Sequence, residues 1–354
     1  KTYDDAVARD VAARSDYSAR SRVIELHNET GFSPKPLNVA KCVLYSLMPP
    51  GSVIKVPDSL WQSHFYASLI AGSSLRGCRS LVIAPSLRSA PSPGPHLMAR
   101  ANGLMKRLVV FGNAMDDYIE REGGILKVGL YAPRQGSGDI AGRFQQAVDL
   151  REPWMSRVYH FFDEAMDSVA SNAGRYLAEA GYRPPVPSEA DSSASPKLHL
   201  KANLFASPRV WDGLMTDLGW SDILRLYVLY LARQQERSQT RDAAVHSIQE
   251  VPEELSRKVS EVVNTYYDSL SPEQQNAMVV FFTIGSANMD YRSQVMNGEV
   301  MVTIGGASGL AGVVDFILLA GLCEWPSTLE EVDALLPPPG WFMRRLASLV
   351  KIAL

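Results

Sequence analysis

The chain contains few cysteines for its length, three in 354 residues. Cys42, Cys78 and Cys323 are too far apart to match a zinc-binding spacing or the disulfide framework of a small secreted domain. We interpret them as small buried apolar side chains. The sequence shows no cluster of metal ligands, so we expect no metal ion, and no organic cofactor is expected either.

Long runs of positive charge are missing as well. The formal net charge is −3, and no run of basic residues is longer than two. Clustered Lys and Arg are the usual mark of a nucleic-acid-binding surface. The sequence therefore gives no electrostatic support for a nucleic-acid partner, although a local basic groove can exist on a nearly neutral protein.

An uninterrupted apolar run of membrane-spanning length is also absent. Residues 300–322 come nearest, but Asp315 and the glycine-rich residues 305–309 interrupt them. We interpret this stretch as a strand ending near Thr303 and a core helix from about Leu310. No signal peptide is recognisable, and the localisation stays open between a soluble protein and one bound peripherally to a membrane.

What the sequence does contain is an alternation of strands and helices. Residues 52–56 and 80–84 are predicted strands joined by a helix, which Asp58 or Ser59 could cap at its start. Two strands joined in this way are expected to pair in parallel. With a further strand at 125–131, the pattern predicts an α/β fold with a mixed, largely parallel sheet between helical layers.

Further helices are predicted before and after the strand at 125–131 in the sequence. Residues 96–121 are expected to form one long helix that ends before the glycines at 123–124. Residues 328–352 are expected to be helical with a break at the proline-rich segment 337–340.

A short alternating segment carries the first group of candidate site residues. Residues 197–205 alternate as a strand does, so His199, Lys201 and Asn203 are expected on one face. An imidazole beside an ammonium group suits chemistry on a phosphate, since one can accept or donate a proton and the other carries a fixed charge.

The second group follows an apolar run at residues 278–284, which we interpret as a buried strand. It continues into Gly285-Ser286-Ala287-Asn288, which offers a tight turn, a hydroxyl and an amide. Together the two groups supply the side chains that cleavage of a phosphodiester needs.

The two motifs, His-x-Lys at 199–201 and Gly-Ser-x-Asn at 285–288, resemble the phospholipase D superfamily. Arg-Ser at 292–293 and Asn-x-Glu at 297–299 extend the similarity to the family's second catalytic half. The chain departs from the family at Ala206, where the family has Asp. It also departs in the connection between the motifs, which is far longer here.

The resemblance implies a metal-independent phosphodiesterase that forms a phosphohistidine intermediate. His199 takes one of the family's two histidine roles, nucleophile or acid–base catalyst. The side chains expected to contact phosphate oxygens are Lys201, Ser286 and Asn288. Asn203 and Glu299 are expected to support them, Glu299 by fixing the tautomer of a histidine.

A complete site of this family needs two His-x-Lys units, and the sequence shows one. We expect the other from a segment that precedes Lys1 or from a partner subunit. The leading interpretation is a phosphodiesterase or phosphatidyl transferase acting on phospholipids, with peripheral membrane contact. A nuclease of the same superfamily and a non-catalytic half that binds phosphate or scaffolds an assembly remain the alternatives.

The resemblance also suggests a division of the chain. Residues 1–22 are expected to form an N-terminal helix or linker, residues 23–325 the catalytic half, and residues 326–354 a helical tail. Helical insertions are expected at about 141–182 and 208–275 within the catalytic half.

Overall fold

The three-dimensional structure is a computed structural model. It describes residues 21–31, 35–87, 89, 100, 103–132, 198, 200–208, 210, 261, 263–277, 280–290, 293–294, 297–306, 309–310, 319 and 323–350. The predicted insertion at 141–182, most of the one at 208–275, residues 1–20 and His199 lie outside the described residues.

In the described part of the chain, an eight-stranded sheet forms the centre of the fold, in the order β1-β7-β6-β5-β2-β3-β4-β8. Helices flank it, so the predicted mixed α/β architecture is confirmed. The strands are β1 Ser21–Asn28, β2 Val53–Pro57, β3 Arg79–Pro85, β4 Ile125–Tyr131, β5 Ala202–Ala206, β6 Val280–Gly285, β7 Glu299–Gly306 and β8 Cys323–Glu324.

The middle of the sheet is buried on both faces. All five residues of β2 and all five of β5 are buried. Mostly apolar strands of this kind suit a position that is covered on both sides. β2, β3 and β4 pair in parallel, as predicted for strands joined through helices.

The expected predominance of parallel pairs is wrong. Five of the seven neighbouring pairs are antiparallel, namely β1 with β7, β7 with β6, β6 with β5, β5 with β2, and β4 with β8. Parallel pairing was inferred from strands that alternate with helices, and this alternation sets the pairing only between residues 53 and 131. The strands that carry the two motifs belong to the antiparallel part.

The helices are α1 Pro36–Leu47, α2 His64–Leu75, α3 Leu104–Ala114, α4 Asp116–Arg121, α5 Pro272–Ala277, α6 Leu329–Leu335 and α7 Trp341–Val350. α1 packs on β1 and β7, α2 packs on β3 and β4, and α3 and α4 pack on β4. The largest core cluster lies between these helices and the sheet and includes Tyr45, Ile54, Tyr66, Val82 and Phe205.

Two details of the predicted helices are wrong. The helix after β2 begins at His64, and its cap is Ser63, whose hydroxyl accepts from the Tyr66 N–H. Asp58 forms a β-bridge with Lys201 and Ser59 lies in the bend that follows, so both precede the helix. The predicted long helix divides at Met115 into α3 and α4 in its described part.

The C-terminal helices α6 and α7 flank residues 337–340, as predicted. β7 runs from Glu299 to Gly306, and residues 309–310 are helical, which agrees with a strand followed by a helix in that region. Among the described helices, none has the length and apolar character needed to cross a bilayer.

Candidate functional site

The pairing pattern brings both motifs to one end of the sheet. Lys201 immediately precedes β5, Gly285 ends the antiparallel strand β6, and Glu299 begins β7. The carboxyl end of β2 reaches the same end, because β2 and β5 are antiparallel. Residues far apart in the sequence therefore meet at the ends of four adjacent strands.

Backbone hydrogen bonds hold Lys201 at the centre of this arrangement. Its carbonyl accepts from the Gly285 N–H at 3.1 Å, and the preceding carbonyl, of Leu200, accepts from the Ser59 N–H at 2.9 Å. An isolated bridge pairs Lys201 with Asp58. The first motif is thus fixed between the end of β2 and the start of the Gly-Ser-x-Asn turn.

His199 lies outside the described residues, while its neighbours Leu198 and Leu200 lie within them. Leu198 is buried and packs with Ile83, Tyr131 and Cys323, and Leu200 packs against the same cluster. The segment that carries His199 is therefore anchored on both sides of it.

Ser286 stands at the start of the turn and joins it to β7. Its hydroxyl donates to Glu299 Oε2 and accepts from the Val300 N–H at 3.0 Å. Its own N–H donates to the Val300 carbonyl at 2.9 Å. A Ser286 hydroxyl that donated to a phosphate oxygen would have to turn away from Glu299.

Asn288 is oriented from the β2 side. Its Oδ1 accepts from the Ser59 hydroxyl at 2.9 Å, and its backbone N–H donates to Ser293 Oγ at 3.2 Å. The amide is planar, so the Ser59 bond also fixes the direction of Nδ2, the group that could donate to an anion.

Glu299 is the acceptor that ties the second motif together. Besides Ser286, its carboxylate accepts from Ser293 Oγ at 2.8 Å and from Asn297 Nδ2 at 3.2 Å. Ser293 and Asn297 belong to the Arg-Ser and Asn-x-Glu elements. The predicted contact of Glu299 with a histidine stays a prediction, since His199 is not described.

Asn203 lies two residues deeper in the sheet than Lys201. Its Oδ1 accepts from the Tyr45 hydroxyl at 2.5 Å, and its Nδ2 donates to Thr283 Oγ1 at 3.0 Å. Asn203 therefore links α1, β5 and β6, which suits a supporting residue and gives it no described contact with the turn.

A buried lysine that the motifs do not contain lies under the turn. Lys41 Nζ donates to the Ala287 carbonyl at 3.3 Å and lies 5.3 Å from the centroid of the Tyr66 ring. Burial lowers the pKa of Lys41, while the charges of Asp58, Glu299 and Asp290 favour its protonated form.

Asp58 is the carboxylate that joins the two motifs. Its Oδ1 accepts from the Leu60 N–H at 2.8 Å and its Oδ2 from the Met289 N–H at 3.2 Å. Burial raises the pKa of Asp58 to about 7, although these two N–H donors and Lys41 act in the opposite direction.

Lys201 faces the same carboxylates. Burial lowers the pKa of the Lys201 ammonium group, and the negative charges of Asp58, Glu299 and Asp290 partly restore it. Two lysines and three carboxylates therefore share one end of the sheet. Among the described residues, no group of three or more His, Cys, Asp or Glu side chains is arranged to hold a metal ion.

Sequence reasoning missed Lys41, Asp58, Ser59 and Asp290 as members of this cluster. A signal for Lys41 was present, because Leu37, Lys41 and Tyr45 recur every four residues and form the buried face of α1. A signal for Asp58 was its position directly after a buried strand. It was interpreted as a helix cap because its true partner, Met289, is distant in the sequence.

We expect the raised pKa of Asp58 to give the folded state a measurable pH dependence. Between pH 3.8 and about 7 the folded protein keeps a proton that the unfolded chain releases, so the free energy of unfolding falls as pH rises through this window. Asp58→Asn should remove that slope, measured by urea unfolding at several pH values. The control Asp117→Asn, at an exposed position in α4, should keep it; an unchanged slope in Asp58→Asn would contradict the assignment.

No protein-family model matches the chain, and no curated protein sequence matches it. Among solved structures, the fold is similar to phosphatidylserine synthase from Haemophilus influenzae Rd KW20, with a TM-score of 0.40 and 12% sequence identity. The match covers 94% of this chain and 48% of that protein, so the chain spans about half the length of the synthase.

Proposed function

We propose that this chain is one catalytic half of a phospholipase D-like phosphodiesterase or phosphatidyl transferase. The observation that carries the proposal is the bond from the Gly285 N–H to the Lys201 carbonyl, which joins the His-x-Lys segment to the Gly-Ser-x-Asn turn. Lys201, Ser286 and Asn288 then lie at the same end of the sheet, where an anion could bind.

In the proposed reaction a histidine nitrogen attacks phosphorus and the bond to the leaving alcohol breaks. A second histidine gives its proton to that alcohol oxygen and then takes a proton from water or from an acceptor alcohol, which displaces the phosphohistidine. His199 supplies one of these two histidines, and the second His-x-Lys unit comes from another segment or subunit.

Lys201 and Asn288 would stabilise the charge that develops on the phosphate oxygens. Donors held in place before the reaction contribute about 3–4 kcal/mol each to the transition state. The Ser59 hydroxyl and the Lys201 backbone bonds provide this preorganisation.

Phospholipid is the proposed substrate class. A net charge of −3 and the lack of basic runs disfavour a nucleic-acid backbone as the partner. The nuclease alternative predicts cleavage of DNA with a steep loss of activity at higher salt and no turnover of phosphatidylcholine or phosphatidylglycerol.

One observation favours a second candidate, a non-catalytic phosphate-binding half. Both hydrogen-bonding roles of the Ser286 hydroxyl are taken by Glu299 and Val300. The loss of the family Asp adds less support. Ala206 is fully buried at the far end of β5, opposite Val53 and Val280, and lies about 16 Å along the strand from Lys201.

The test is turnover of phosphatidylglycerol and of DNA by the protein together with its second His-x-Lys half. His199→Ala should lower kcat at least about 100-fold, since it removes the nucleophile or the proton donor. Lys201→Met should raise KM and lower kcat, because its charge acts on both ground and transition states. The controls are His27→Ala, at an exposed site in β1, and Lys127→Met in β4.

The results separate the candidates. Loss of lipid turnover in His199→Ala with retention in His27→Ala supports the proposal. Full activity in His199→Ala contradicts both enzymatic candidates. Phosphate binding that Lys201→Met weakens, without turnover of any phosphodiester in the wild type, identifies the non-catalytic half.

A further inference from the structure

The last described helix, α7, exposes large apolar side chains. Trp341 and Phe342 are 70% and 68% exposed, and Met343 and Leu346 are also exposed. Phe342 and Leu346 lie one turn apart on the same side of the helix. Aromatic side chains exposed to this degree at the start of a helix leave apolar area in contact with water, which is unfavourable unless an apolar partner covers it.

The other side of α7 is fixed to the protein. Ala347 is buried, and the Arg344 Nε donates to the Pro339 carbonyl at 2.8 Å. The segment that precedes α7 is held by Arg100, whose Nε donates to the Pro337 carbonyl at 2.7 Å. These contacts hold the orientation of α7, so its apolar side faces outward as part of the folded structure.

Positive charge accompanies this apolar side. α7 contains Arg344 and Arg345, both exposed, and no carboxylate. The guanidinium of Arg345 lies 5.8 Å from the centroid of the Trp341 ring, so an aromatic ring and a cation are presented together. This combination of aromatic ring and cation suits a partner that has an apolar interior and a negatively charged surface.

We propose that α7 docks the protein on the surface of an anionic phospholipid bilayer. Its ten residues extend about 15 Å, which is too short to span a bilayer but suits a helix lying in the plane of the interface. Phe342, Leu346 and Trp341 enter the boundary between head groups and acyl chains. Arg345, which lies beside Trp341, meets the lipid phosphates.

A second exposed apolar stripe provides a matched control. Val39, Val43 and Leu47 recur every four residues on α1 and are all exposed, Val39 to 63% and Leu47 to 74%. The described part of α1 has no exposed basic residue beside this stripe. If exposed apolar area alone caused lipid binding, the α1 stripe would contribute as much as α7.

The experiment is flotation of the protein with vesicles of phosphatidylcholine alone and of phosphatidylcholine with about 30% phosphatidylglycerol. We expect binding to the anionic vesicles. The double variant Phe342→Ser/Leu346→Ser should bind them at least about tenfold more weakly, and Val39→Ser/Leu47→Ser should bind like the wild type. Arg345→Gln should lose about fivefold on anionic vesicles only.

Other results would overturn the proposal. They are equal binding to both vesicle types, no binding by the wild type, or equal loss in the α1 and α7 variants. A concentration-dependent dimer in sedimentation equilibrium, abolished by Phe342→Ser/Leu346→Ser and accompanied by no lipid binding, would assign this side of α7 to a second copy of the chain. Flotation needs no turnover, so it can succeed or fail independently of the proposed enzymatic function.

Discussion

Lys41→Met is expected to lower the free energy of unfolding by about 1–3 kcal/mol, the cost of leaving a buried hydrogen-bonding group without its partner. Met has nearly the same length as Lys, so packing on Tyr66 is largely kept while the charge is lost. The Ala287 carbonyl would then lose its donor, and Asp58, Asp290 and Glu299 would lose the favourable positive charge of Lys41.

Equilibrium unfolding in urea measures this effect, and Lys106→Met is the matched control. Lys106 forms an ion pair with Asp333 near the surface of α3. Removing an exposed or half-exposed pair of this kind should cost at most about 1 kcal/mol. If the two variants lose equal stability, Lys41 does not compensate the carboxylates.

A double variant tests the coupling directly. Lys41→Met/Asp58→Asn should be less destabilised than the sum of the two single variants, because the charges of Lys41 and Asp58 influence each other and either substitution removes that interaction. Strict additivity would show that Lys41 and Asp58 act independently of each other.

Gly285→Ala is expected to lower the free energy of unfolding by at least about 3 kcal/mol, at the upper end of the cost of overpacking. An added Cβ would lie 2.1 Å from the Val300 carbonyl oxygen and 2.9 Å from the Met301 Cα. Both are backbone atoms of the paired strand β7, so no side-chain rotation can relieve the contact. The strands would have to separate where Ser286 bonds Val300 and Glu299.

The control for Gly285→Ala is Gly72→Ala in α2. A Cβ at Gly72 would meet nothing within 4 Å, so Ala there should stabilise the helix by about 0.5–1 kcal/mol. Thermal or urea unfolding should show changes of opposite sign in the free energy of unfolding of the two variants. A neutral Gly285→Ala would mean that β6 and β7 do not approach this closely.

The α/β class could be predicted from the sequence because strand and helix periodicities are local properties. The strands at 53–57, 79–85 and 125–131 and the break at 337–340 were recognisable in this way. The antiparallel partners of β5 and β6 were not, because pairing between strands separated by long segments leaves no periodic trace in either strand.

The residues of the candidate site also fall into two groups, those that the sequence indicated and those that it did not. The motif residues Lys201, Ser286, Asn288 and Glu299 were recognisable because a family resemblance marks them by type and spacing. Lys41 and Asp58 belong to no motif, and each was hidden in a pattern with an ordinary structural meaning, a helix face and a helix cap.

By itself, the sequence determined the class of fold and predicted a set of side chains for phosphate chemistry, since propensity, periodicity and motif spacing depend on neighbours along the chain. Only the tertiary structure decided that Lys41 and Asp58 join them, and that Ser59 orients Asn288. The physical reason is that the charge state and direction of a side chain depend on burial and on the groups that surround it, and at this end of the sheet those groups come from four strands and a helix that are remote in sequence.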